Sequence, residues 1–304
     1  MIYDIVVVGS GPAGLTAAIY ARRAKKSVLV IEKESMGGNI THSPKVENYP
    51  GYESISGLDL ADKFVAQAMN LEVNFEFDEV ISLNKEEEKF IVECKRGNFE
   101  AKCVIIATGS KHRELNLAKE SEFVGKGVSY CAVCDGAFYS NQDVTVIGGG
   151  NSALQEAILL SKTSTSVTLI QNLSFLTGEE ALIEEVKDNP KISAIYNKIV
   201  VSLNGENSLE SITLEDTETK EQSIYQTKSI FVAIGQIANN GPFSGVCDLD
   251  ENGFIISNER CETKTKGLFV AGDCLKKNIR QIVTATGDGS IAALGAIRYL
   301  DSCK

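Results

Sequence analysis

A chain of 304 residues with 43% apolar and 23% charged side chains is long enough for two domains of ordinary size and has the make-up of a globular protein. Its formal net charge of −11 works against nucleic acid, whose binding rests on neutralising phosphates, and is read as a source of solubility. No apolar run is long enough to span a bilayer. The opening MIYDIVVVGSG has no basic lead and runs straight into a structural motif, so it is not read as a signal peptide and the cytoplasm is the expected location.

YDIVVVGSGPAGLTAAIYARRA reads as strand, glycine turn and helix. The apolar run Ile5 to Val8 has the continuous hydrophobicity of a strand buried on both faces. Gly9, Gly11 and Gly14 give G-x-G-x-x-G, and the next strand, SVLVIEKE, brings Glu32 about twenty residues on. That is the complete setting of a dinucleotide site. Gly9 permits the tight turn, Gly11 lets backbone approach a pyrophosphate at the helix N-terminus, and Glu32 can accept from ribose hydroxyls. The segment EVISLNKEEEKFIVECKRGNFEAKCVIIATGS reads as a small β-meander with a solvated hairpin tip at NKEEEK, returning to the core over residues 104–109.

After Gly109 the plan starts again. DVTVIGGGNSALQEAILLSKTSTSVTLIQN is a second strand, turn, helix and strand, in which Gly148, Gly150 and Ala153 match G-x-G-x-x-A. A second meander, over residues 195–228, leads to SIFVAIGQ, the counterpart of CVIIATGS. GLFVAGDCLKKNIRQIVTATGDGSIAALGAIRYL then supplies one more strand, a glycine turn and a long helix. The expected fold class is therefore α/β, with two Rossmann-like dinucleotide-binding domains of three-layer ββα build, one inserted into the other.

Among the eight cysteines only Cys131 and Cys134 form C-x-x-C, in SYCAVCDGAFY. Such a pair is half a zinc site, a redox disulfide, or two unrelated core thiols. No second pair and no nearby histidine closes a metal site; His42 and His112 are the two histidines present. A redox role is favoured, because the motif precedes a helix-like stretch whose N-terminus would favour a thiolate. Asp135 follows at once and fits either a general acid or a helix cap.

These motifs together resemble the low-molecular-weight thioredoxin reductase family nearly end to end. GSGPAGLTAAIYA, Gly37 to Asn39, VENYPG at 46–51, CAVCDG, GLFVAGDC and RQIVTATGDGSIAA carry the likeness. The resemblance implies a homodimeric FAD enzyme whose two domains rotate against each other. It implies that residues 1–112 and 241–304 bind FAD, and that residues 113–240 carry the dithiol on a degenerate pyridine-nucleotide fold. Gly9, Gly11, Pro12, Ala13 and Gly14 would line the FAD pyrophosphate. Glu32, Lys33, Gly38, Asn39 and Asn48 would contact its adenosine side or the flavin. Gly109 and Gly272 would belong to the same cofactor set, with Asp273 on the ribityl chain and Arg280, Gln281 and Ile282 along the flavin and its phosphates. Cys134 would lie nearest the flavin, Cys131 would attack the partner disulfide of thioredoxin, and Asp135 would supply protons.

One part of the pattern is missing. The family follows its second glycine fingerprint with a basic stretch, H-R-R-x-x-x-R, that holds the 2′-phosphate of NADPH. Here that place is taken by Ile170-Gln171-Asn172-Leu173-Ser174-Phe175-Leu176, and no basic residue follows until Lys187. Glu179 and Glu180 come too late to select NADH. Each lost charge-assisted bond costs about 1.5–3 kcal/mol, so two or three would weaken NADPH by several powers of ten. In this the chain resembles clostridial flavoprotein thioredoxin reductases that take electrons from ferredoxin, and reduced ferredoxin is the expected donor. The alternatives are a nicotinamide-driven enzyme with an atypical pocket and a reductase of another small dithiol protein. Ferredoxins are acidic like this chain, so docking would call on local cations: Arg22, Arg23, Lys25 and Lys26, or Lys276, Lys277 and Arg280. Cys274 is expected to be a small buried thiol and Cys303 to be exposed.

Overall fold

The computed structural model describes residues 2–43 and 46–302; Cys303 lies outside them. The chain opens with β1 (Ile2–Val8), α1 (Pro12–Arg23), β2 (Val28–Glu32), α2 (Gly57–Asn70) and β3 (Asn74–Phe77), then β4 (Val80–Glu86), β5 (Lys89–Cys94) and β6 (Asn98–Ile106). A short β7 (Lys111–His112) leads to α3 (Glu120–Phe123), β8 (Val128–Ser129) and α4 (Ala132–Asp135). There follow β9 (Asp143–Ile147), α5 (Asn151–Ser161), β10 (Ser166–Ile170), α6 (Glu180–Asp188) and β11 (Ile192–Ile195). Then come β12 (Lys198–Asn204), β13 (Ser211–Asp216), β14 (Gln222–Gln226), β15 (Ile230–Val232), β16 (Gln236–Ile237), β17 (Leu268–Val270) and α7 (Ile282–Ser302).

The chain forms two compact units, residues 1–111 with 237–304, and residues 112–236. In the first, the sheet order is β3-β2-β1-β6-β5-β4, with β17 also on β6. β6 is shared along its length: Phe90 of β5 faces Ala101 antiparallel, while Leu268 of β17 faces Val104 parallel. Successive side chains of a strand point to opposite faces. Accordingly Ile5 and Val7 of β1 pack with α1 and α7 on one side, and Val6 and Val8 pack with the meander residues Leu83, Phe90 and Val92 on the other. That double burial is why the run carries no polar residue.

The second unit repeats the plan. Its parallel sheet runs β11-β10-β9-β15-β8 and its meander is β12-β13-β14. Val144, Val146, Val167 and Leu169 pack with α5, whereas Ile170, Ile230 and Val232 pack with Val200, Leu203 and Ile212 of the meander.

The second crossing between units falls at 236/237, not after residue 240. Asn240 explains the difference. It is fully buried, its Nδ2 donates to the carbonyls of Gly253 and Cys274, and its Oδ1 accepts from the Thr108 hydroxyl. These partners all belong to the first unit, so the chain is committed to that unit before Asn240.

Candidate active site

The first glycine turn is built on contacts that exclude a side chain. Gly9 has φ +106, and a Cβ there would lie 2.3 Å from the Ala107 carbonyl oxygen. A Cβ on Gly14 would lie 1.9 Å from the Gly9 oxygen. Gly11 differs: nothing lies within 4 Å of the position its Cβ would take, so the space in front of the α1 N-terminus is open. Pro12 begins α1, where a missing N–H costs no helical bond. Gly14→Ala is therefore expected to cost about 2–4 kcal/mol, seen as a lower urea midpoint, whereas Gly11→Ala should leave the midpoint nearly unchanged.

Glu32, Gly38 and Gly272 adjoin this turn, and the other residues expected at the site have partners of their own. Glu32, at the end of β2, accepts from Ser10 N at 2.8 Å and Ser10 Oγ at 2.7 Å. A Cβ on Gly38 would sit 3.1 Å from Gly11 Cα, and one on Gly272 would sit 2.8 Å from Ala13 Cβ. Asn39 Nδ2 donates to the Ser110 carbonyl at 2.7 Å, beside Gly109 with φ +70. Asn48 Nδ2 donates to Gln281 Oε1 at 3.1 Å, joining residues 233 apart in sequence. Ile282 packs on the Ile40–Leu60 cluster, and Arg280 lies over the Phe254 ring with its Nε donating to the Asp273 carbonyl. Lys33 is the exception, being exposed beside Glu34.

Asp273 carries the clearest sign of a missing partner. Its Oδ1 is buried with no hydrogen bond, although Lys277 Nζ stands 3.6 Å away. Burial pushes its carboxyl above the ordinary range against the pull of Lys277 and Arg280. A polyol chain supplies hydroxyl donors for such an oxygen. An open helix N-terminus, an acid for a ribose and an orphaned carboxylate oxygen together fit a flavin dinucleotide.

The sequence offers Lys277 as a docking cation. Its ammonium instead binds Asp288 at 2.6 Å and faces Asp273. Arg280 is likewise held within the unit. Arg22 donates to the carbonyls of Leu71 and Lys26, and Lys26 pairs with Asp301 at 2.6 Å. Arg23, Lys25 and Lys276 are left exposed, so neither segment presents the cluster expected of it. Cys274 is buried, its thiol donating to the carbonyls of Ala271 and Ile106.

In the second unit, Cys131 and Cys134 are joined as a disulfide across the first turn of α4. Cys131 is the N-cap, and its Sγ accepts from Cys134 N at 3.2 Å. Ser129, which the motif does not single out, organises the pair. Its hydroxyl accepts from Cys131 N at 3.1 Å and donates to Asp135 Oδ2 at 2.7 Å. Burial raises the Asp135 carboxyl above its ordinary pKa, with the Ser129 bond opposing. A half-buried acid that holds its proton more tightly than usual is suited to protonating a departing thiolate. Tyr130 is set by Glu120, which accepts its hydroxyl at 2.7 Å and also the amides of Leu115 and Leu117.

The second glycine turn keeps its backbone but not the expected lip. Gly148 has φ +134, with its Cβ position 2.5 Å from the Ala233 oxygen, and the space at Gly150 is open to 3.7 Å. Gln171, at the end of β10, is buried and folds over Gly149. Its Nε2 donates to the Phe175 carbonyl and its Oε1 accepts from Asn172 N. Asn172, Leu173, Ser174 and Phe175 are exposed and uncharged. Glu179 accepts from Asn151 Nδ2 at the first residue of α5.

Two glycine turns, each following a strand paired in parallel with its neighbours, and a C-x-x-C disulfide in the inserted unit define a disulfide oxidoreductase. The chain belongs to the Pyridine nucleotide-disulphide oxidoreductase family, whose pattern it matches over residues 3–289. It is of the thioredoxin reductase type. It is 39% identical to the thioredoxin reductase of Bacillus subtilis over 304 residues, covering 100% of this chain and 96% of that one. The structure of thioredoxin reductase from Streptococcus pyogenes matches with a TM-score of 0.94 at 36% identity, over 99% of both chains. A ferredoxin-flavin thioredoxin reductase from Clostridium acetobutylicum matches with a TM-score of 0.56 at 27% identity, over 100% of this chain and 99% of that one. Among the described residues no helix is long and apolar enough to cross a membrane.

Proposed function

We propose that this protein passes electrons from reduced ferredoxin through FAD to the Cys131–Cys134 disulfide, and from that dithiol to thioredoxin, working as a homodimer in the cytoplasm. The observation that carries the choice of donor is the uncharged lip at Gln171–Phe175, with Gln171 turned inward to its own loop. A 2′-phosphate there would find no cation to replace its water. The likeness to the ferredoxin-flavin thioredoxin reductase of Clostridium acetobutylicum supports the same donor.

The residues at the first turn would hold the FAD: Gly9 to Gly14 at the pyrophosphate, Glu32 at the ribose and Asp273 at the ribityl hydroxyls. A bound flavin supplies storage for one or two electrons, which suits a one-electron donor and a two-electron acceptor. The protein's own groups then complete the chemistry. Reduction breaks the Cys131–Cys134 bond and takes up two electrons, with Asp135 positioned by Ser129 to give a proton to a sulfur. The Cys134 amide stabilises charge on Cys131 Sγ. That thiolate attacks the partner disulfide, and Cys134 resolves the mixed disulfide, re-forming the ring and releasing a dithiol.

A second reading is favoured by the open space at Gly150: a nicotinamide-driven enzyme gripping its cofactor by backbone alone. An anaerobic titration of the flavin absorbance decides between them. Reduced ferredoxin is expected to bleach the flavin and to sustain thioredoxin reduction, while NADPH and NADH at micromolar concentration do not. Rapid, saturable bleaching by either nucleotide would overturn the choice of donor.

A further inference from the structure

Asp288 stands in the second turn of α7 and holds two groups with one oxygen. Its Oδ2 accepts from the Lys277 ammonium at 2.6 Å and from the Gly272 amide at 3.1 Å. The next residue, Gly289, leaves α7 no room to shift here, because a Cβ on it would lie 2.2 Å from the Ala13 oxygen. Asp288 thus ties α7 to Gly272 and sits beside the start of α1, two segments fitted to the dinucleotide.

Lys277 divides unequally between two carboxylates. Its Nζ lies 2.6 Å from Asp288 Oδ2 but 3.6 Å from Asp273 Oδ1. The longer separation is beyond hydrogen bonding, yet two opposite charges still attract across it. Asp273 Oδ1 therefore has a cation beside it while its lone pairs stay free, and it is buried with no hydrogen bond. Arg280 does not compete for that oxygen. Its Nε donates to the Asp273 carbonyl, and its guanidinium lies over the Phe254 ring. Lys276, the neighbouring cation, is exposed.

We infer that Asp288 is a positioning residue for the cofactor site. It holds the Lys277 ammonium near enough to Asp273 to offset that carboxylate's charge, and too far to take up Oδ1, which stays open as an acceptor for a hydroxyl of the cofactor's polyol chain. This rests on the reading of Asp273 as the residue that meets the ribityl hydroxyls. Without the Asp288 charge, the ammonium closes on Asp273 and occupies the acceptor, since a bond between two ionised groups outcompetes one from a neutral hydroxyl.

The test is the FAD dissociation constant, read by flavin anisotropy on serial dilution of each holoenzyme. Wild type, Asp288→Asn, Asp273→Ala and the double variant are compared, with far-ultraviolet circular dichroism to check folding. Asn keeps an acceptor for the Gly272 amide and removes the charge. Asp288→Asn is expected to weaken FAD by roughly tenfold to a hundredfold, the range for one bond to a charged group. In the Asp273→Ala background it should cost less than about twofold, because the oxygen it protects is gone. A residue that merely braced α7 and Gly272 would cost the same in both backgrounds, and that result would overturn the inference. So would an Asp288→Asn protein that binds FAD like wild type; a weakened Asp273→Ala would then leave the cofactor reading intact. Wild-type affinity in Asp273→Ala would overturn the reading of Asp273 and the inference with it. Should Asp288→Asn not fold, Asp288→Ser takes its place in the same comparison.

Discussion

Cys134→Ser is expected to abolish thioredoxin reduction while the protein stays yellow. Turnover should fall by at least roughly a thousandfold, the scale on which losing one member of a covalent relay is felt. The loss follows from the chemistry of the ring. With one sulfur gone, no disulfide can be reduced, and a mixed disulfide formed at Cys131 has no neighbour to resolve it. Flavin retention follows from where the residues lie: those fitted to the dinucleotide are in residues 1–111 and 237–304, whereas Cys134 is in residues 112–236. Absorbance at the flavin band and turnover with thioredoxin, measured on the same preparation, check the prediction. Substantial residual turnover would remove Cys134 from its place in the relay.

The second large effect is a gain. Replacing both Asn172 and Leu173 with arginine should give the second glycine turn the cations it lacks. Both side chains are exposed, so the longer residues enter without displacing core. Each charge-assisted phosphate bond is worth about 1.5–3 kcal/mol, so the pair should tighten NADPH by roughly a hundredfold to ten-thousandfold. NADH, which has no 2′-phosphate, should gain little. Flavin reduction rate against nucleotide concentration provides the measurement. A variant that gains for both nucleotides equally, or for neither, would show that the lip is not where the phosphate would sit.

Much of this was legible in the residues themselves. The run Ile5 to Val8, the glycine spacing and Glu32 specify one another, since a strand buried on both faces, a turn without Cβ atoms and an acid at the next strand end leave little freedom. The second copy was legible for the same reason. Ser129 was not, because a serine two residues before a cysteine has no periodicity to mark it; only the fold brings its hydroxyl to both Cys131 N and Asp135. The inward turn of Lys277 was also hidden. Its partner Asp288 is 11 residues away on α7, and composition alone makes Lys276 and Lys277 look alike. Asn240 moved a boundary because polar side chains that satisfy buried carbonyls act as core, whatever their hydropathy.

The shared strand β6 has a bearing on how the protein is made. Residues 112–236 emerge from the ribosome after β6 and before β17, and they form a unit able to close on itself. Through that interval the nascent chain carries Val104–Ile106 with one edge unpaired, and α1 lacks α7, whose Gly289 presses on the Ala13 carbonyl at a spacing no side chain could share. An open apolar strand edge invites pairing with other chains. Translational pausing between codons 237 and 268 would lengthen that exposure, and the inserted unit would already be folded while its host waited for its last strand.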